Sequence, residues 1–342
     1  MHIQELINII ERTADPRRAA SWDHSGVQIA GTVTDCDRLA LALDPLPGVV
    51  EAALDWGASL ILTHHPLLLS PRLPDRIDDY HSVLRLVFGR GSWLYAAHTS
   101  LDVATDGPAG WLAAALGLRN CNILEPAGCV PYLQARWHVP KNIVECRNAL
   151  AGLPRVVPVV LGPNLLDATF SQSMRSAVET NLAAACLETT RLSMVELLEP
   201  ADVYGYGLIG ELPAPTPYAI LEKQLATLLP RRFFVHVGTE PKTVATLAYC
   251  PGSGADMAGR AFAAGADVFL TGDVKYHQAQ AVPRGCLLVD VGHFSLEEVM
   301  LRTFADDLAK TFGNAGPQVR YFSGNDPFSA HYPEGPHTAR TE

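Results

Sequence analysis

None of the seven cysteines, at 36, 121, 129, 146, 186, 250 and 286, forms a Cys-x-x-Cys pair, and their number is odd. This excludes a disulfide framework or a cysteine-built zinc site, and reduced thiols in a cytoplasmic protein are expected. Charge is also scarce. Asp, Glu, Lys and Arg make up 18% of the 342 residues, against 48% hydrophobic, below the ~25% charged fraction of ordinary soluble domains. The composition is that of a folded chain with a sizeable core. Basic side chains number 26 against 36 acidic, a net charge of −10, which argues against broad binding to nucleic acid or to an anionic membrane. No stretch approaches the ~18 apolar residues of a membrane span. The N-terminal MHIQELINIIERTADPRR interleaves acids with apolar residues, unlike the apolar core of a signal peptide. A Gly-x-Ser-x-Gly elbow is missing, and Cys121, Cys129, Cys146 and Cys186 lie far along the chain from the histidine clusters, so covalent catalysis by serine or cysteine is disfavoured.

The patterning that is present points to a layered α/β protein. Ile3, Leu6, Ile7 and Ile10 share helical spacing. Short apolar strands at 39–44 and 59–63 flank a helix at 49–56, the strand–helix–strand unit of a parallel sheet. A helix at 81–89, a strand at 93–97 and a helix at 108–117 continue the pattern. Between about 122 and 204, Pro126, Pro131, Pro140, Pro154, Pro158 and Pro163 break the chain into short pieces. A strand at 134–139 and helices at 141–150 and 176–190 there suggest a small α+β insertion. The earlier pattern then returns, with helices at 217–228, 255–264 and 295–311 and strands at 244–249, 268–271 and 286–290. The expected organisation is therefore 1–125 and 205–328 as two parts of one α/β domain, 126–204 as the insertion, and a loose tail at 329–342.

Chemistry gathers where strands end. Thr63-His-His-Pro66 follows an apolar strand, and ligand sites in open α/β sheets lie at such carboxyl ends. A second strand runs into His98-Thr-Ser-Leu-Asp102, and a third into Gly292-His293 with Glu297 four residues on, the spacing of one helix face. His64, His65, Asp102, His293 and Glu297 are thus candidate metal ligands. Three imidazoles and two carboxylates are too many for one tetrahedral zinc, and the mixed N/O set suits Zn, Fe, Mn or Ni. A bridging carboxylate would hold two divalent ions ~3.5–4 Å apart and activate water. Metal-assisted hydrolysis is the leading class, with Glu297 in the reaction and His98 as a proton carrier or a group supporting the ligands, the alternative for His98 being a core histidine bonded to a backbone carbonyl. In Gly272-Asp-Val-Lys-Tyr-His277, Asp273 and Lys275 are candidate substrate contacts and His277 a proton carrier, with Asp273 as a helix cap the alternative. Pro251-Gly-Ser-Gly254 reads as a tight turn, since it lacks the spacing and the Lys-Ser/Thr of a phosphate loop. Asp23 and His24 either border the site or cap a turn.

The segments SWDHSGVQIAG, LILTHHPLLL, YAAHTSLDVA, GYGLIGELP, GADVFLTGDVKYHQA and DVGHFSLEE, in this order, resemble the Nif-three-like family, also labelled GTP cyclohydrolase type-two, over roughly 1–120 and 205–328. The resemblance implies a fold of parallel and mixed sheets flanked by helices, interrupted by a PII-like α+β insertion. It also implies a dinuclear centre at His64, His65, Asp102, His293 and Glu297, and a homohexamer. The insertion departs from the pattern by lacking a Pro-Tyr-Glu-Glu stretch. Asp23-His24 stands where Asp-Asn is common. The function implied is hydrolysis of a nucleotide or related heterocycle, a small-molecule substrate; the alternatives are a metal-delivery protein and a hexameric scaffold.

Overall fold

The computed structural model describes residues 1–186 and 188–331. The chain forms two compact units, Met1–Glu125 together with Gly205 onward, and Pro126–Tyr204.

In the first unit, Arg38–Ala42, Leu60–Thr63 and Trp93–Ala96 are adjacent parallel strands, with Gly26–Ile29 antiparallel at one edge. Their residues are buried almost without interruption, as expected of a parallel sheet covered on both faces. Alternation sorts the side chains: Ala40, Ile61 and Leu94 meet Val50, Leu54, Val83 and Val87 of helices Pro47–Asp55 and Asp79–Arg90. Leu39, Leu41, Leu60, Leu62 and Tyr95 face the other way.

A second sheet of this unit orders Thr243–Tyr249, Val268–Thr271 and Leu287–Asp290 in parallel. Val235–Gly238 closes one side antiparallel, and the strand ending at Pro217 pairs antiparallel on the other. Its Leu247, Tyr249, Val268, Leu270, Leu287 and Val289 enter the same core as the inner face of the first sheet. The helix His293–Phe312 runs through that core and buries Leu296, Met300, Leu301, Phe304 and Leu308. The carboxyl ends of strands from both sheets thereby meet at its first turn.

The insertion unit has its own core. Val156–Gly162 and Leu165–Ser171 pair antiparallel, and the latter pairs with residues 132–138 of the long strand Arg119–His138. Helices Ile143–Ala151 and Arg175–Ala185 contribute Cys146, Leu150, Val178 and Leu182.

Several expectations change. The helix expected to reach 190 ends at Ala185, its last buried anchor being Leu182, and Thr190 begins the long strand Thr190–Pro217. The 255–264 helix opens as a 3-10 turn, Ala255–Met257. An unexpected strand, Gln318–Phe322, returns to pair in parallel with Arg38–Ala42; Gln and Arg among its five residues obscure the apolar signal. The expected loose tail, 329–342, lies outside the described residues from 332 onward. All seven cysteines are free, and no described helix is long and apolar enough to cross a membrane.

Candidate metal centre

His64 and His65 leave the sheet directly after Leu60–Thr63, and Thr63 Oγ1 donates to the His65 carbonyl at 2.8 Å. The chain turns there and brings the two rings within 5.0 Å, so the pair that extended chain would point apart converges. Asp102 closes the short helix Thr99–Asp102 after the neighbouring strand. His293 starts the helix that carries Glu297 one turn on, and their Nε2 and Oε2 atoms stand 2.9 Å apart.

Each imidazole is aimed from behind. The Nδ1 of His64 donates to the Ala97 carbonyl at 2.8 Å, that of His65 to Asp44 at 2.7 Å, and that of His293 to Asp273 at 2.7 Å. With Nδ1 committed to an oxygen that can only accept, Nε2 is the nitrogen presented inward. There it finds Glu297, 3% exposed. Glu297 Oε1 lies 3.4 Å from His64, and Oε2 lies 3.2 Å from His65. Asp102 Oδ1 lies 3.6 Å from His64 Nε2.

The electrostatics follow from that crowding. Burial opposes protonation of His65, but the carboxylates of Asp44 and Glu297 outweigh it and hold the pKa at about 10. Burial likewise opposes, and Glu297 with Asp273 raises, the pKa of His293 to about 9. That of His64 is raised by Glu297 and Asp102 against complete burial. Burial works against ionisation of Glu297, yet His64, His293 and His65 hold its carboxyl well below the usual range. Asp102 is shifted up, by burial first and by the Glu297 charge besides.

Four buried atoms here, His64 Nε2, Asp102 Oδ1, His293 Nε2 and Glu297 Oε2, make no well-directed hydrogen bond, although the last two lie 2.9 Å apart. Buried polar atoms left without well-directed partners are costly, and these become converging lone-pair donors once a cation displaces the imidazole protons. A cation satisfies such a set. The donors fall into the groups His64–Asp102–Glu297 and His65–His293–Glu297, within each of which the donor atoms lie within 4.8 Å. Glu297 belongs to both.

Of the remaining residues singled out by sequence, His98 joins His64 and His65 in a third such group. Its Nδ1 lies 2.9 Å from Asp23 Oδ1, and Asp23 Oδ2 accepts from Ser25 and Thr99. Asp23 therefore positions His98 while also accepting from His24 N at 2.7 Å within its own turn. Asp273 stays exposed beside the cluster, and its carboxylate accepts from His293 Nδ1 at 2.7 Å, at a residue whose backbone turns through φ 56°. Lys275 and His277 are not brought to the cluster. Both are exposed, and the His277 ring packs on its neighbour Tyr276 at 5.2 Å.

Asp44 was missed, although the rule that found His64 and His98 applies to it, since it lies just past the strand Arg38–Ala42. Gly252 was read only as part of a turn; it adopts φ +65°, and a Cβ there would collide with Glu297 Oε1. Gly272 is needed for another reason, since a Cβ would strike the His293 backbone.

Fold and cluster together define a mixed α/β protein with a histidine–carboxylate centre at the converging strand ends. Residues 1–326 match the family described as Duf34/NIF3 (NGG1p interacting factor 3), and the chain belongs to that family. A Staphylococcus aureus protein named GTP cyclohydrolase 1 type 2 homolog is 26% identical over 330 residues, covering 86% of this chain and 90% of the relative. The crystal structure of a Bacillus cereus protein related to NIF3 is 25% identical with a TM-score of 0.82, covering 97% of this chain and 99% of that one. A solved S. aureus protein, SA1388, gives a TM-score of 0.71 at 25% identity over 97% of this chain.

Proposed function

We propose that this protein holds two divalent cations and uses them to hydrolyse a nucleotide or related heterocycle, within the homohexamer that the family resemblance implies. The observation that carries the reading is the position of Glu297, whose two oxygens serve separate donor groups. His64, Asp102 and Glu297 would hold one ion, and His65, His293 and Glu297 the other. Zn, Fe, Mn and Ni all suit this N/O set. Bound there, the cations would supply Lewis-acid polarisation of a substrate oxygen and a water acidic enough to attack at neutral pH.

The chain's own residues do the rest. Asp44, Asp273 and the Ala97 carbonyl fix the tautomer and direction of the three ligand imidazoles. Asp23 does the same for His98, leaving its Nε2 to accept a proton and return it to a leaving group. The name carried by the S. aureus relative is consistent with this chemistry, since opening the imidazole ring of a purine is hydrolytic.

The reading is tested by a metal-dependent hydrolysis screen with metal-loaded protein. Turnover that needs the cation supports it; tightly held metal with no turnover across nucleotides, nucleosides and bases contradicts the hydrolytic part and favours metal delivery. Asp44→Asn and Asp273→Asn each leave the ligands in place while weakening their orientation. Each is expected to lower metal affinity about 10–100-fold, as measured by competition with a chromogenic chelator.

A further inference from the structure

The cluster opens into a cleft of about 560 Å³, within the ~300–1,000 Å³ range of small-molecule sites. Its floor is polar, formed by His65, His98, Asp102 and Glu297. Its walls and mouth are of a different character. Trp22, Tyr206, Met257 and Leu69 line them, and no Lys or Arg occurs among the described lining residues. Trp22 is 59% exposed, and its ring meets His98 edge to face at 5.7 Å. The charged residue of the wall is Glu125, an acid whose carboxylate faces Arg260 at 3.9 Å.

These features bear on which part of a nucleotide the cleft receives. With the ring edge turned to the cations, a triphosphate would lie toward the mouth, away from the metals, where it needs protein cations or runs of backbone N–H groups. Here the wall carries negative charge, and the Gly252 side of the turn Pro251–Gly254 is taken up by its close approach to Glu297. Aromatic and thioether walls suit the face of a flat ring, as base stacking on aromatic side chains does elsewhere. We propose that the cleft admits an unphosphorylated planar heterocycle, a nucleobase or nucleoside, against Trp22 and Tyr206, with its polar edge toward the cluster, and that it discriminates against the nucleoside triphosphate. This rests on the metal-centre reading above and narrows its substrate class.

The test is calorimetric binding to zinc-loaded full-length protein of adenosine, guanosine, cytidine and uridine, each beside its 5′-triphosphate, with inorganic tripolyphosphate as a control. The metal content of every sample is measured in parallel. At least one nucleoside is expected to bind, more tightly than its own triphosphate, and Trp22→Ala to weaken it about tenfold while Trp22→Phe restores most of the affinity. Triphosphates that bind more tightly than the nucleosides in every pair, tripolyphosphate that binds as well as they do, or no nucleoside binding at all to protein carrying its metal would overturn the inference alone. Protein that retains no cation would overturn the metal reading, and this inference with it.

Discussion

Glu297→Gln is expected to reduce the metal content from two ions per chain to one or none, with the fold intact. The substitution keeps the volume of the side chain at a site that is 3% exposed, so no cavity is opened. It replaces the anion shared by His64, His65 and His293, at 3.4, 3.2 and 2.9 Å, with a neutral amide. Whichever way the amide turns, its NH2 has no lone pair for a cation, so one donor group loses its oxygen outright. The other group loses the charge that balanced it. A loss of affinity of at least about 100-fold is expected, since a ligand is removed and not merely misaimed. Elemental analysis after gel filtration, with far-UV circular dichroism as the control for folding, reads the result. Two ions retained at wild-type affinity would show that Glu297 does not join the two groups.

The second large effect is on stability. Stripped of cations, the centre leaves His64 Nε2, Asp102 Oδ1, His293 Nε2 and Glu297 Oε2 buried without a well-directed hydrogen bond. These atoms come from 64, 102, 293 and 297, so a cation bound among them ties together parts of the first unit that are distant in sequence. Binding to the folded state alone stabilises it by about 4 kcal/mol when free metal is a thousand times its Kd. Chelation is therefore expected to lower the urea midpoint of the first unit, and metal repletion to restore it. The insertion unit has a separate core around Trp137, Phe170 and Val178 and is expected to respond little. Equal stability with and without chelator would mean that the cluster is satisfied without cations.

Much of this was legible from the residues, for a physical reason. The strands LILT and WLYA are almost wholly apolar because both faces of a parallel sheet are covered, and each is followed within two residues by a histidine that the interior would not tolerate unless paired. That contrast between an apolar run and a polar terminus picked out His64, His65 and His98. The i, i+4 spacing picked out Glu297 once His293 was placed at a helix start. What escaped depended on contacts far apart in sequence. Asp44 stands just past a strand, as His64 does, but its role behind His65 shows only once the fold sets the two 2.7 Å apart. The contact of Asp273 with His293 has no signal in the residue spacing, because it depends on a positive φ at Asp273. Lys275 and His277 share its segment but not its turn. The strand Gln318–Phe322 escaped because its partner is some 280 positions earlier and its own composition is mixed.

The central claim is that two divalent ions share one carboxylate. Titration of chelator-treated full-length protein with zinc or manganese, followed calorimetrically and confirmed by anomalous scattering from a crystal, tests it most directly. The account predicts two equivalents bound per chain, with two anomalous peaks about 3.5–4 Å apart on either side of Glu297. One peak or none among these side chains, or ions found elsewhere on the molecule, would contradict it.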